Sequence, residues 1–270
     1  MKRQNRRYVR QMPKIYGDLH KEPFSWVGIL RGLQVALWLG AAICLVYAVA
    51  FSGWFTVRTI MVQGTVLTSS SRVKELIPTG TNVLAISTDS VSQRLLTDKR
   101  IESIAVLRGL PNSLRVIVKE KEPALLWISG TAANLVDRDG FVFATYSEAD
   151  FPDPASPAGQ LLSKVPKVRD DKALPATLDK QVVSPRFITF LADTQVQLAN
   201  YLPELKVDHI EVVDTTYDVT FFAKQGMQVQ FNTLGDSGVQ VRNLTRLIHQ
   251  QKATFASRVD LRIDRWAYVQ

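Results

Sequence analysis

Cysteine is almost missing from this chain: Cys44 stands alone among 270 residues. It falls inside an apolar run, so no disulfide can staple the remainder, whose stability has to come from packing. Cys44 itself reads as a small apolar residue facing lipid or a partner helix. Histidine is nearly as scarce, at three residues. No second pair of ligands stands near His209 or His249 at zinc-like spacing, so a zinc site is not expected and no cofactor is implied. Acidic side chains are thin at the front, where Lys2, Arg3, Arg6, Arg7, Arg10, Lys14, Lys21 and Arg31 are opposed only by Asp18 and Glu22. That imbalance supplies most of the formal net charge of +8. After Arg31 there is no basic stripe with interleaved aromatics, so nucleic acid is not an expected partner.

Charge is absent altogether from Gly32 to Phe55, a stretch rich in Leu, Ala, Val and Ile. A bilayer core of about 30 Å needs roughly 20 helical residues, and this run supplies them. Trp26 and Trp54 mark its two ends, where indole rings favour the headgroup region. A cleaved signal peptide has an apolar core of only about 7–15 residues and a small-residue cleavage site. Gly53-Trp54-Phe55 offers no such site, so an uncleaved anchor is expected. The basic flank before it predicts a cytoplasmic amino terminus, with the rest of the chain outside the cell membrane as a single-pass type II protein. The apolar and charged fractions of 46% and 21% fit a globular body plus an anchor.

Beyond the anchor the pattern predicts strand, helix, helix, strand, strand. Val57–Gln63 is β-branched and stopped by Gly64. Thr68–Ile77 is a helix closed by Pro78, and a second helix begins at Ser87 or Thr88 with Val91, Leu95 and Leu96 as its apolar stripe. Ile101–Arg108 and Leu114–Glu120 form a hairpin turned by Gly109 to Ser113. After Pro123 the chain becomes more β-rich. Strands are expected at Ala124–Ile128, Asn134–Val136 and Phe141–Phe143, with Asp137-Arg138-Asp139-Gly140 as a turn. Residues 147–175 carry five prolines and read as an irregular loop. Pro185–Tyr201 is a helix. Alternating apolar residues then give a hairpin, Tyr217–Phe221 and Met227–Phe231, followed by a helix over Ser237–Gln250 and a last strand at Val259–Ile263. No internal repeat is evident.

This order of elements resembles the FtsQ/DivIB family of bacterial division proteins. Val57-Arg58-Thr59-Ile60-Met61-Val62-Gln63-Gly64 is similar to the family's first POTRA strand. Leu110-Pro111-Asn112-Ser113-Leu114-Arg115-Val116 with Lys119-Glu120-Lys121-Glu122-Pro123 is similar to its last POTRA hairpin. Leu135-Val136-Asp137-Arg138-Asp139-Gly140 and Val259-Asp260-Leu261-Arg262 are similar to a β-domain turn and to the closing strand. The resemblance implies an α+β chain: a basic cytoplasmic tail (1–31), a transmembrane helix (32–55), a POTRA domain of β-α-α-β-β order (56–122), and a mixed β-domain with helices on one face (123–270). It implies a non-enzymatic scaffold of the divisome, enriched at the division septum. Its implied partners are FtsB/DivIC-like and FtsL-like membrane proteins, which link it to septal peptidoglycan synthesis. Partner binding by strand addition maps onto the carboxy-terminal edge, with Leu261, Ile263, Arg265, Trp266 and Tyr268 as the candidate residues.

Two motifs invite other readings. Gly235-Asp236-Ser237-Gly238 copies the core of a trypsin-like protease signature, but that chemistry needs a histidine, a buried aspartate and an oxyanion hole, for which no context is visible. A loop and helix cap is expected instead. Asp137 and Asp139 alternate as calcium ligands do, yet an EF-hand loop spreads its ligands over about 12 residues, so a tight turn explains them. A POTRA-bearing transport or chaperone component that binds exported polypeptides is the alternative function. It is disfavoured because the membrane β-strands that go with such systems are missing.

Overall fold

The computed structural model describes residues 26–51, 53–250, 253–254, 258–263 and 267–269. The chain separates into two units, 1–52 and 53–270. In the first, helix α1 (Trp26–Phe51) contains a 24-residue stretch, Trp26–Val49, long and apolar enough to cross a membrane. It begins several residues before the expected start at Gly32 and takes in Arg31. Helical propensity does not stop at a charge, and a long Arg stem can carry its head toward an interface. The basic tail before Trp26 lies outside the described residues.

The second unit opens with the expected strand-helix-helix-strand-strand order. Strands β1 (Thr59–Gln63), β2 (Ile101–Gly109) and β3 (Ser113–Glu120) form a sheet of order β1-β3-β2, with β1 parallel and β2 antiparallel to β3. Helices α2 (Ser70–Glu75) and α3 (Thr88–Leu95) are capped by Ser69 and Ser87, whose hydroxyls accept from Arg72 N and Ser90 N. Each cap satisfies an amide that the first helical turn leaves without a partner. Alternate residues Leu114, Val116 and Val118 of β3 pack in one core with Val73, Val91 and Leu95 of the helices and with Ile77 just after α2.

A nine-stranded sheet follows, in spatial order β12-β11-β10-β9-β8-β7-β4-β5-β6. Its strands are β4 (Leu125–Ser129), β5 (Ala132–Val136), β6 (Val142–Tyr146), β7 (Lys167–Asp170), β8 (Val207–Val212), β9 (Asp218–Ala223), β10 (Gln228–Asn232), β11 (Arg258–Asp260) and β12 (Tyr268–Val269). Helices α5 (Pro185–Tyr201) and α6 (Ser237–His249) share one core with Trp127, Val168, Ile210, Phe221, Phe231 and Val259. The expected helices on one face of a mixed sheet are thus present.

Residues 147–175, expected to be an irregular loop, hold a short helix α4 (Pro157–Leu162) and β7, which lies in the middle of the sheet between parallel neighbours β4 and β8. Pro157 occupies the first helical turn, where a missing N–H costs nothing. In β7 only Val168 points into the core, and Lys167 and Arg169 stand exposed on the other face. One apolar residue in four is too weak a signature for sequence to reveal a central strand. β8 escapes notice for a similar reason: Asp208, His209 and Glu211 interleave with the buried Ile210 and Val212.

The two sheets are joined by the loop that leaves β1. At Gly64 φ is +86°, and an added Cβ would collide with the carbonyl oxygen of Val118, so only glycine fits that turn. The chain then delivers Leu67, 7% exposed, into a third core with Leu126, Leu135, Phe143, Leu162 and Val165 of the large sheet and α4. The Glu120 carboxylate, at the end of β3, holds the loop in place. It accepts the backbone N–H groups of Val66 at 2.8 Å, Leu67 at 2.7 Å and Thr68 at 2.7 Å. Arg100 adds a bond to the Leu67 carbonyl at 3.3 Å while its guanidinium chelates Asp98.

Candidate functional site: the carboxy-terminal sheet edge

The large sheet ends at β12. Its neighbour β11 runs parallel to β10, with Val259 opposite Val229 and Asp260 opposite Gln230. β12 then returns antiparallel to β11, placing Val269 opposite Val259 and Tyr268 opposite Asp260. Among the described residues the last strand in the spatial order has a partner on one side only, so part of its backbone hydrogen-bonding capacity faces outward.

The continuous strand expected over Val259–Ile263 stops at Asp260. Asp260 Oδ1 accepts the backbone N–H of Arg262 at 3.0 Å, an Asx-type turn that bends the chain out of the sheet. The same carboxylate takes the Arg262 guanidinium, with Nη2 to Oδ2 at 2.7 Å and Nε to Oδ1 at 3.0 Å. Arg262 also lies 3.6 Å from Asp218 on β9. Hydrogen bonding from Arg262 holds the Asp260 carboxyl below the usual carboxylate range, and the reciprocal bond raises Arg262. This clamp fixes the corner from which the terminal segment departs.

The candidate residues divide by location. Leu261 is 3% exposed and belongs to the core, with its N–H donated to the Gln230 carbonyl at 2.9 Å, so its part is to hold the edge in place from inside. Ile263 and Tyr268 are 56% and 61% exposed, large apolar surfaces left in solvent on either side of the return. Arg265 and Trp266 lie outside the described residues. Sequence reading passed over Asp218 and Asp260. The signal that would have found the turn was Asp260 two residues before Arg262, the Asx spacing.

The other sharp motifs resolve into structure. Asp236 caps α6 by accepting Val239 N at 2.8 Å, and Ser237 follows as the first helical residue. The cleft around Ser237 is lined by Arg186, Thr189, Phe190, Asp193, Thr233 and its own loop, with no histidine. His209 is engaged elsewhere, its ring stacked on Phe222 and bonded to Asp208 at 2.8 Å and Glu211 at 3.2 Å. Asp137 accepts the N–H groups of Asp139 and Phe141 and pairs with Lys121, as a turn residue does. Among the described residues no cluster of His, Cys, Asp and Glu could hold a metal.

Residues 55–121, which comprise the three-stranded sheet with its two helices, match the family model described as POTRA domain, FtsQ-type. That segment is an FtsQ-type POTRA domain. Relatives named cell division protein FtsQ agree with this. The protein from Mycolicibacterium smegmatis is 30% identical over 143 residues, covering 48% of this chain and 43% of its own length. That from Mycobacteroides abscessus is 32% identical over 152 residues, 54% of this chain and 48% of its own. That from Chloroflexus aurantiacus is 31% identical over 97 residues, 36% of each. The chain thus spans less than half the length of these curated relatives. The apolar amino-terminal helix is consistent with membrane anchoring.

The two acidic clamps of the second unit predict its acid response. Asp98, bonded to Arg100, and Asp260, bonded to Arg262, both have carboxyls held below their ordinary range. A lowered folded-state value means that the stabilisation is fully present above the unfolded carboxylate value of about 4 and is lost as pH falls through the folded value. Thermal unfolding of the full chain in detergent is therefore expected to be nearly flat from about pH 7 to 5 and to drop steeply below about 4. Asp98→Asn should lower the melting temperature at neutral pH, and its deficit relative to the parent should shrink in acid.

Proposed function

We propose that this chain is a scaffold of bacterial cell division that works by docking, with the carboxy-terminal sheet edge as its principal partner surface. The observation that carries the reading is an FtsQ-type POTRA domain at 55–121 in a chain whose second sheet ends on the edge strand β12. Division proteins named FtsQ align with up to about half of the chain, which supports the role. In this reading the residues before α1 are a cytoplasmic tail, α1 is an uncleaved span, and the POTRA domain (56–122) and β-domain (123–270) lie outside the membrane. An FtsB/DivIC-like partner adds a strand beside Tyr268–Val269, supplying the groups the edge leaves open. Ile263, Arg265, Trp266 and Tyr268 select it by alternate side chains. FtsL-like proteins join through that partner, and the assembly bears on septal peptidoglycan synthesis. No reaction is assigned to the chain itself.

The test combines location with capture. A fluorescently tagged chain is expected to concentrate at mid-cell, and an FtsB/DivIC-like partner to be recovered with it. Ile263→Lys replaces an exposed apolar anchor by a hydrated cation and is expected to cut capture by at least tenfold while the fold persists. A uniform rim of fluorescence with capture unchanged by the substitution would favour the transport reading instead.

A further inference from the structure

The face of the large sheet turned away from α5 and α6 is covered at one end only. Cross-strand register places Arg169 of β7 beside Ile128 of β4, Ile128 beside Ala133 of β5, and Ala133 beside Tyr146 of β6. The next row runs Lys167, Leu126, Leu135, Ala144. Phe151, in the loop after β6, packs edge-on against Tyr146 with ring centroids 6.1 Å apart. Between that loop and β7 lies an open groove of about 530 Å³. Its floor is apolar, made by Leu126, Ile128 and Ala133, and Phe151 forms one wall. The opposite wall carries Lys167 and Arg169, both exposed. Among the described residues neither Lys167 nor Arg169 forms a salt bridge; Glu211 of β8 stands opposite Arg169 in the sheet, but its carboxylate is bonded to His209. Glu148 lies on the loop side.

Two cations two residues apart on one strand, next to an apolar trough, present a specific demand. Neighbouring strands are about 4.8 Å apart, so the trough floor lies about 5–10 Å from the Arg169 position. In an extended peptide, residues i and i+2 project to the same side about 6.6–6.8 Å apart. We propose that this groove docks an extended segment of a partner protein that presents an acidic side chain to Arg169 and Lys167 and a bulky apolar side chain, two residues away, to Ile128, Ala133 and Phe151. Glu148 sets the direction, because it repels the acid from the loop wall and leaves the β7 wall as its seat. The surface lies at the opposite end of the sheet from β12, so this site goes beyond the division reading and stands or falls separately from it.

The test uses the full chain in detergent micelles and a fluorescein-labelled decapeptide of Gly and Ser carrying one Leu and one Asp two residues apart. Saturable binding is expected, measured by polarisation. Replacing the peptide's Asp by Lys, or its Leu by Ser, should weaken it at least tenfold. Arg169→Glu should weaken the Asp peptide at least tenfold and strengthen the Lys peptide, a reversal that unfolding cannot produce. Phe151→Ser should weaken both Leu-bearing peptides. Both loci are exposed, and an unchanged melting temperature verifies the fold. The proposal is overturned if no saturable binding occurs, if Arg169→Glu leaves the peptide preference unchanged, or if the chain binds vesicles of anionic lipid through Arg169 but not the peptide.

Discussion

Glu120→Ala is expected to destabilise the second unit by about 3 kcal/mol, since a hydrogen bond to a charged group contributes ~1.5–3 kcal/mol and three are lost together. The full sum is not expected, because the Val66 end of the loop is exposed and water can replace part of what is removed. The loss also frees the loop that carries Leu67, whose side chain sits in a core built almost wholly by the large sheet and α4. The expected signature is therefore cooperative. The urea midpoint falls, and amide protection drops across Val66 to Thr68 together with β4 and β5. At ~2–4 °C per kcal/mol for a body of this size, melting should fall by about 6–12 °C. Glu120→Gln retains one acceptor oxygen and should lie between the two. A change below about 0.5 kcal/mol in the alanine variant, the range of ordinary surface substitutions, would show that the loop is held by Leu67 alone.

Truncation after Ile263 is the second large effect. It removes β12 but leaves the Asp260–Arg262 clamp and the buried Leu261, so β11 and the core under it persist. A two-residue strand at a sheet edge buries little, and melting should move by only a few degrees. Capture of an FtsB/DivIC-like partner, in contrast, should fall by about 100-fold or more, as expected when a central anchor cluster of an interface is deleted. Truncation after Asp260 is the less informative experiment. It also removes Leu261 from the core, so loss of binding and loss of fold would coincide.

Much of this architecture is legible in the sequence where periodicity is strong. The helix over Pro185–Tyr201, the β9–β10 hairpin and the β2–β3 hairpin all carry clear apolar alternation or helical spacing, and the structure places them as expected. What stays hidden has a common physical cause. β7 and β8 are covered on one face only, so their outward positions hold Lys167, Arg169, His209 and Glu211, which blur the pattern. Long-range polar contacts are invisible for a different reason. Nothing local in Val66-Leu67-Thr68 announces a carboxylate from a residue more than 50 positions away. At the candidate edge Leu261 keeps the inward side of Val259 by strand alternation, whereas Ile263 is exposed because the strand ends at Asp260, three residues before the expected end, where the Asx turn bends the chain.

The central claim is that the sheet ending in β12 accepts a further strand, and backbone amide exchange reads this directly. The full chain in lipid nanodiscs would be compared with and without an FtsB/DivIC-like partner. Added protection is predicted at Tyr268–Val269 and across Arg258–Asp260, with β6 at the far edge unchanged. Protection confined to the POTRA strands, with Tyr268 and Val269 exchanging as fast as in the free chain, would contradict the account.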